Sequence, residues 1–410
     1  MKNSTAKPPL PMRRISILLF TISLAIVIVG VPAAFKFCGT SGDQAEDKFV
    51  TPDGKVIKKR QIKRPYFVRG IHLSAWAAGS AKLRARAFNL LRETELNTVV
   101  IALKEYEGEV YIPGVPATET MKTYVRAIPD LENYLSELKS HGIFTSARIV
   151  VFKDNRAARQ KPGWAVKDPD GNIWLDRKKN AWLDPYNREV WDYNLDIAER
   201  AAEMGFDEIQ FDYIRYPSDG NTRLCRYSVK HTSSSAVENL KDFLREAGRR
   251  LKPYGVDISI CVFGLTTTSL HDMGIGQNIV ELTDDTIDAV CPMVYPSHYY
   301  PGEYGLADPN SEPYKTVYYS ISGAVKRLGE KSSKLRPYLQ DFSLGKKYTA
   351  REVREEIRAV YDAGIYQWLL WDPKCKYTED ALETKTAYED FVKNYRRKLT
   401  AGTSPYFEKQ

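Results

Sequence analysis

From residue 69 onward, short apolar and β-branched runs alternate with longer amphipathic stretches, and this alternation predicts strands separated by helices. The expected strands cover 69–74, 98–103, 144–151, 208–212, 257–262, 289–295, 335–340 and 366–371. Apolar residues at helical spacing predict helices over 81–94, 131–141, 190–204, 237–251 and 350–363. Gly142, Gly205, Gly255 and Gly364 each end such a stretch and lead into the next strand. Strands joined through helices form a parallel sheet covered on both faces, and eight strands close a (β/α)8 barrel of the TIM type. An open doubly wound sheet is the alternative, but its glycine-rich phosphate loop is missing after the first strand. The pattern therefore predicts an α/β chain with one barrel over 66–392.

The polarity ahead of the barrel is different. Lys2, Lys7, Arg13 and Arg14 precede an apolar run that extends from Ile15 to Phe35 with one proline in it. About twenty such residues just cross a bilayer core of roughly 30 Å. Basic residues on the N-terminal side keep that end in the cytoplasm. Residues 1–36 are read as a membrane anchor or as a signal segment cleaved near 31–33, and either places the barrel outside the cytoplasm. Residues 37–65 read as a linker and 393–410 as a flexible tail.

Composition narrows the class without naming a reaction. The 410 residues are 43% apolar and 27% charged, which excludes disordered, collagen-like and coiled-coil chains. Cys38, Cys225, Cys261, Cys291 and Cys375 include no CxxC pair, and the histidines show no HxH or HExxH spacing. No metal and no cofactor is expected. A GxSxG nucleophile elbow is missing. The net charge of +8 is spread along the chain, so no nucleic acid is expected as a partner.

Barrel enzymes work at the C-terminal ends of their strands. There this sequence offers His72 and Trp76, then Lys104, Glu105 and Glu107, then Arg148, Lys153 and Asp154. In the fourth strand, alternation turns Ile209 and Phe211 toward the helices, and Gln210 and Asp212 into the barrel mouth. An inward carboxylate needs a partner, and Lys104 and Arg148 are the expected ones. An oriented carboxylate opposite a second carboxyl is the equipment of glycoside hydrolysis, whose transition state carries positive charge on the sugar. Asp341 and Asp372 rank first for that second carboxyl, with Glu105 behind them. About 5–5.5 Å between the two would imply retention and about 6.5–9.5 Å inversion. Lys104, Glu105, Arg148, Gln210, Tyr213, Arg215, Tyr295, His298, Gln340 and Trp371 are the expected substrate contacts. The long connection before the fourth strand carries Trp164, Trp174 and Trp182, which suit either sugar faces or packing of the loop itself. Asp184 followed by Pro185 predicts a helix start there.

Longer motifs add a resemblance. FDEIQFDYIRYPSDG (206–220), IGQN (275–278), CPMVYPSHYYPGEYGLADPNSEPY (291–314), RPYLQDF (336–342), QWLLWDP (367–373) and KDPDGNIWLDRKKNAWLDPYNREVW (167–191) resemble a family of glycosyl hydrolase barrels. Bacterial members of that family are often exported and membrane-attached. The resemblance implies hydrolysis of an extracellular or cell-envelope polysaccharide centred on Asp212. This chain departs from the family pattern at Ala102 and Cys261, where aspartates are usual. That departure implies an alternative, a barrel that binds carbohydrate without cleaving it. A third reading is an anchored scaffold of envelope assembly with its aromatic loops packed away.

Overall fold

The computed structural model describes residues 48–50, 56–58 and 63–401. The expected anchor or signal segment over 1–36 lies outside the described residues, as do 402–410 of the expected tail. Among the described residues, no helix is long and apolar enough to cross a membrane.

Eight parallel strands close into a barrel. They are β1 (Arg69–Leu73), β2 (Thr98–Lys104), β3 (Phe144–Val150), β4 (Glu208–Asp212), β5 (Asp257–Phe263), β6 (Ala289–Met293), β7 (Tyr338–Gln340) and β8 (Trp368–Trp371). The ring closes where β8 pairs with β1, with Trp368 opposite Arg69 and Leu370 opposite Ile71. Helices follow in turn: α1 (Ala81–Glu93), α2 (Leu131–Ser140), α3 (Arg188–Met204), α4 (Ser233–Leu251), the short α5 (Ile279–Leu282), α6 (Pro313–Leu328), α7 (Ala350–Asp362) and α8 (Lys385–Thr400). Gly142 and Gly364 leave α2 and α7 at φ +70° and +86°, a conformation that side chains disfavour.

Strand alternation divides the interior into two layers. Ile71, Val99, Ile101, Ile149, Ile209, Phe211, Ile260 and Leu370 face the helices in one large core. Val100, Cys261, Ala289, Cys291, Tyr338 and Leu369 fill the barrel itself. Strand β4 contributes a polar residue to each level of that filling. Glu208 sits lowest, where Arg336 Nη1 donates to its Oε1 at 3.0 Å and Nη2 lies 2.8 Å from Oε2. Above it, Gln210 accepts from the Tyr338 hydroxyl at 2.6 Å. Asp212 ends the strand at the mouth.

Three boundaries differ from the expected ones. The chain before the barrel is not featureless, because Lys48–Val50 and Val56–Lys58 pair as an antiparallel hairpin. The boundary at 392 falls inside α8, which runs to Thr400 because Phe391 and Tyr395 pack against Phe67 beneath the barrel. Helix α3 starts at Arg188 behind an Asn187 cap; Asp184 instead accepts from the backbone N–H of Tyr186 and Ser228, at 3.0 and 2.7 Å.

Candidate active site

The loops after the strands enclose a cleft of about 630 Å³ at the C-terminal mouth of the barrel. Asp212 lines it from the end of β4 and is 3% exposed. Its Oδ2 accepts from Arg148 Nε at 2.9 Å and from Nη2 at 2.7 Å, and its Oδ1 accepts from the Tyr213 backbone N–H at 2.6 Å. Arg148, inward on β3, also donates through Nη1 to Glu105 at 3.0 Å. Burial opposes the charge on this guanidinium, yet Glu105 and Asp212 outweigh burial and raise its pKa well above the ordinary value. Arg148 is thus a fixed cation shared by two carboxylates.

Tyr213 turns the chain sharply after Asp212, at φ +50°. A bulky residue in the left-handed region is strained, and the neighbouring packing must hold it there. Arg215 does part of this, with its guanidinium 4.7 Å from the Tyr213 ring, 4.8 Å from Trp182 and 4.4 Å from Phe263. The opposite wall is aromatic. Tyr295 stacks on Trp371 at 5.3 Å and 27°, with His298 5.4 Å from Tyr295. Tyr295, His298, Trp371, Tyr213, Arg215 and Arg148, all named from the sequence as substrate contacts, line the cleft with Asp212.

Other expected site residues are placed elsewhere. Lys104 points away from the mouth, because β2 carries a bulge: Ala102 pairs with Arg148 but Lys104 pairs with Ile149. One extra residue reverses which side a strand residue faces. Lys104 is wholly buried against α3, 2.8 Å from both the Asp154 carboxylate and Asn194 Oδ1. It is no partner of Asp212. Gln210 lies beneath the cleft in the barrel filling and does not line it. Gln340 is occupied in holding the loop after β6, accepting from Ser297 N and Oγ at 3.1 and 2.8 Å.

The two carboxyls ranked first as proton donor are also engaged outside the cleft. Asp341 accepts from Thr378 N and Oγ1 at 2.8 and 2.6 Å, and Asp372 accepts from the backbone N–H of Lys374 and Lys376 at 2.7 and 3.1 Å. Each is the anchor of the loop after β8, a role that a free loop carboxyl takes readily. Glu105 meets Arg148 but is not among the residues lining the cleft. Trp164, Trp174 and Trp182 are buried and pack the long connection onto the barrel.

Asp341 carries a consequence for stability. Burial pushes its carboxyl up to about 6, with Thr378 pulling the other way and the Asp372 charge adding to burial. An unfolded aspartate titrates near 3.9, so the folded protein binds this proton more tightly. The resulting stabilisation is present below about pH 4 and is lost as pH rises through about 6, roughly 3 kcal/mol in all. Asp341→Asn should therefore shrink the stability difference between about pH 4 and about pH 7 by ~2–3 kcal/mol, read from urea unfolding at both. An unchanged difference would assign the pH dependence to other groups.

Two cleft residues were undervalued by sequence reasoning. Asp219, on the loop after β4, is the other carboxylate among the described residues that line the cleft, and its buried Oδ1 has no hydrogen-bond partner among them. It lies in the family-resembling segment 206–220, so its position after the strand was the available signal. His72, on β1, also lines the cleft.

Residues 70–377 match the family described as "Putative glycosyl hydrolase domain". Curated proteins compared with the chain gave no match. Among solved structures, the PgaB (BpsB) glycoside hydrolase domain from Bordetella bronchiseptica is 13% identical with a TM-score of 0.56, over 78% of this chain and 99% of that one. The α-galactosidase TtGalA from Thermus thermophilus, in complex with stachyose, is 13% identical with a TM-score of 0.50, over 80% of this chain and 66% of that one. These two likenesses show the barrel fold. A hypothetical protein from Ruminiclostridium thermocellum is 32% identical over 47% of this chain and 96% of its own, with a TM-score of 0.43.

Proposed function

This chain belongs to the glycosyl hydrolase family that it matches over residues 70–377, and we propose that it cleaves a glycosidic bond of an extracellular or cell-envelope polysaccharide with Asp212 as the central carboxylate. The observation that carries the proposal is the setting of Asp212. It ends an inward-facing strand position at the mouth, is held by Arg148 from one side, and borders an open cleft. Positive charge develops on the sugar ring as the bond breaks, and a carboxylate already held in place stabilises that charge without reorganising. Because Glu105 shares the Arg148 charge, the guanidinium orients Asp212 without cancelling it alone. The leaving oxygen needs a proton from a second carboxyl. With Asp341 and Asp372 engaged in loop anchoring, Asp219 is the group we assign to that part, on the strength of its place in the cleft. Residues 15–35, on which export and membrane attachment rest, lie outside the described residues, and both remain part of the proposal.

The aromatic wall supplies the apolar surface that a sugar face requires. Trp371→Ala should raise KM roughly tenfold or more, since stacking and buried area are lost together. Initial rates across substrate concentrations measure this, and an unmoved KM would take Trp371 out of substrate binding. The proposal as a whole is tested by incubating the full chain with envelope and plant polysaccharides and following reducing-end release. Turnover of none of them would remove the hydrolase assignment of this site.

A further inference from the structure

One polar side chain in the cleft has no side-chain partner among the described residues. His72 points inward from β1, is 5% exposed, and shares the cleft with Arg148 and Asp212. Neither of its ring nitrogens has a hydrogen-bond partner among the described residues. Its backbone, in contrast, is clamped. The Tyr377 hydroxyl accepts from the His72 N–H at 3.1 Å and donates to the His72 carbonyl. A buried polar group without partners is costly, and one held this firmly implies that a ligand or water completes it. Burial, and then the Arg148 charge, lower its pKa well below the ordinary value. The neutral ring offers one N–H donor and one bare nitrogen.

The cation whose charge reaches His72 is already spent. Arg148 is shared between Asp212 and Glu105. Arg215, on the loop after β4, lies against the rings of Trp182 and Phe263 and donates through Nη1 to the Tyr216 carbonyl and the Ser218 hydroxyl. A carboxylate or sulfate seated against His72 would find the Arg148 charge already matched by two carboxylates and, being acceptor-only, could satisfy at most the N–H of the ring. A hydroxyl group both donates and accepts, so it satisfies either nitrogen.

We infer that the sugar unit bound at the floor of this cleft is uncharged and that His72 holds it through a hydroxyl group. The inference rests on the reading of the chain as a hydrolase acting in this cleft, and it narrows the substrate class to neutral or N-acylated sugars at that position. His72 is a binding residue, and proton transfer stays with the carboxyls.

The test uses the full chain, and Asp212→Asn to record binding apart from turnover. The probes are oligosaccharides of a neutral β-glucan, of an N-acetylated aminoglucan and of polygalacturonate, with calorimetric titration and reducing-end release as readouts. At least one uncharged series should bind and the uronate series should not. His72→Phe should weaken binding roughly tenfold to hundredfold, and His72→Gln, which keeps a donor and an acceptor, should recover part of it. Tight binding of polygalacturonate fragments, equal binding by a folded His72→Phe, or no binding of any series overturns the inference. Should His72→Phe fail to fold, His72→Gln and the comparison of charged with neutral probes decide. Binding that depends on His72 without turnover would defeat the hydrolase reading alone. Turnover indifferent to His72 would defeat this inference alone.

Discussion

Asp212→Asn is expected to lower reducing-end release by at least ~10²–10⁴-fold while the barrel remains folded. Asparagine keeps the size of the side chain and one carbonyl oxygen, so it can still accept from Arg148. Glu105 still neutralises part of that guanidinium. What is lost is the negative charge facing the cleft, which is the feature the reaction requires. Folding is followed by circular dichroism and thermal unfolding beside the rate measurement. A folded variant with undiminished turnover would remove Asp212 from the mechanism. A variant that no longer folds would instead make the Arg148–Asp212 contact a structural bolt of the barrel, with function assigned elsewhere.

The largest effect on stability is expected deeper in the barrel. Glu208 and Arg336 are fully buried, and Ser146 and Ser259 each donate to Glu208 Oε1 at 2.8 Å. Burial resists the charge on Glu208, but Arg336 overcomes it and draws its pKa below the ordinary value. Arg336→Met removes the only guanidinium that contacts this carboxylate among the described residues, and the stranded charge should cost about 3–5 kcal/mol in urea unfolding. The double variant Glu208→Gln with Arg336→Met should lose less than Arg336→Met alone, since no charge is left behind. A single replacement costing under about 1 kcal/mol would show that water reaches this level of the barrel.

Much of this architecture is written in local pattern. The two-residue period of β4 places Ile209 and Phe211 under the helices and turns Glu208, Gln210 and Asp212 inward, as the alternation of the chain predicts. The aromatic wall of Tyr295, His298 and Trp371 follows from strand ends alone. What escaped was whatever depends on a count being off by one or on a partner far away in the chain. The bulge after Ala102 sends Lys104 out to Asp154, and no propensity of VVIALKEYEG marks it. Asp341 and Asp372 sit at the right strand ends, but their acceptors are already used by a loop whose path the sequence does not reveal. The tryptophans of the long connection illustrate the same limit, because composition is equal for an exposed platform and a packed loop. His72 stands on the strand-end shortlist, and its significance emerges only when its nitrogens are seen to lack partners.

Closure of the ring joins segments from opposite ends of the fold, since β8 lies against β1. A polypeptide truncated anywhere before Trp368 would therefore be an unfinished hoop with two bare rims, not a smaller version of the same protein. Naked rims of sheet recruit other chains, so shortened forms should precipitate or bind chaperones instead of yielding a trimmed domain.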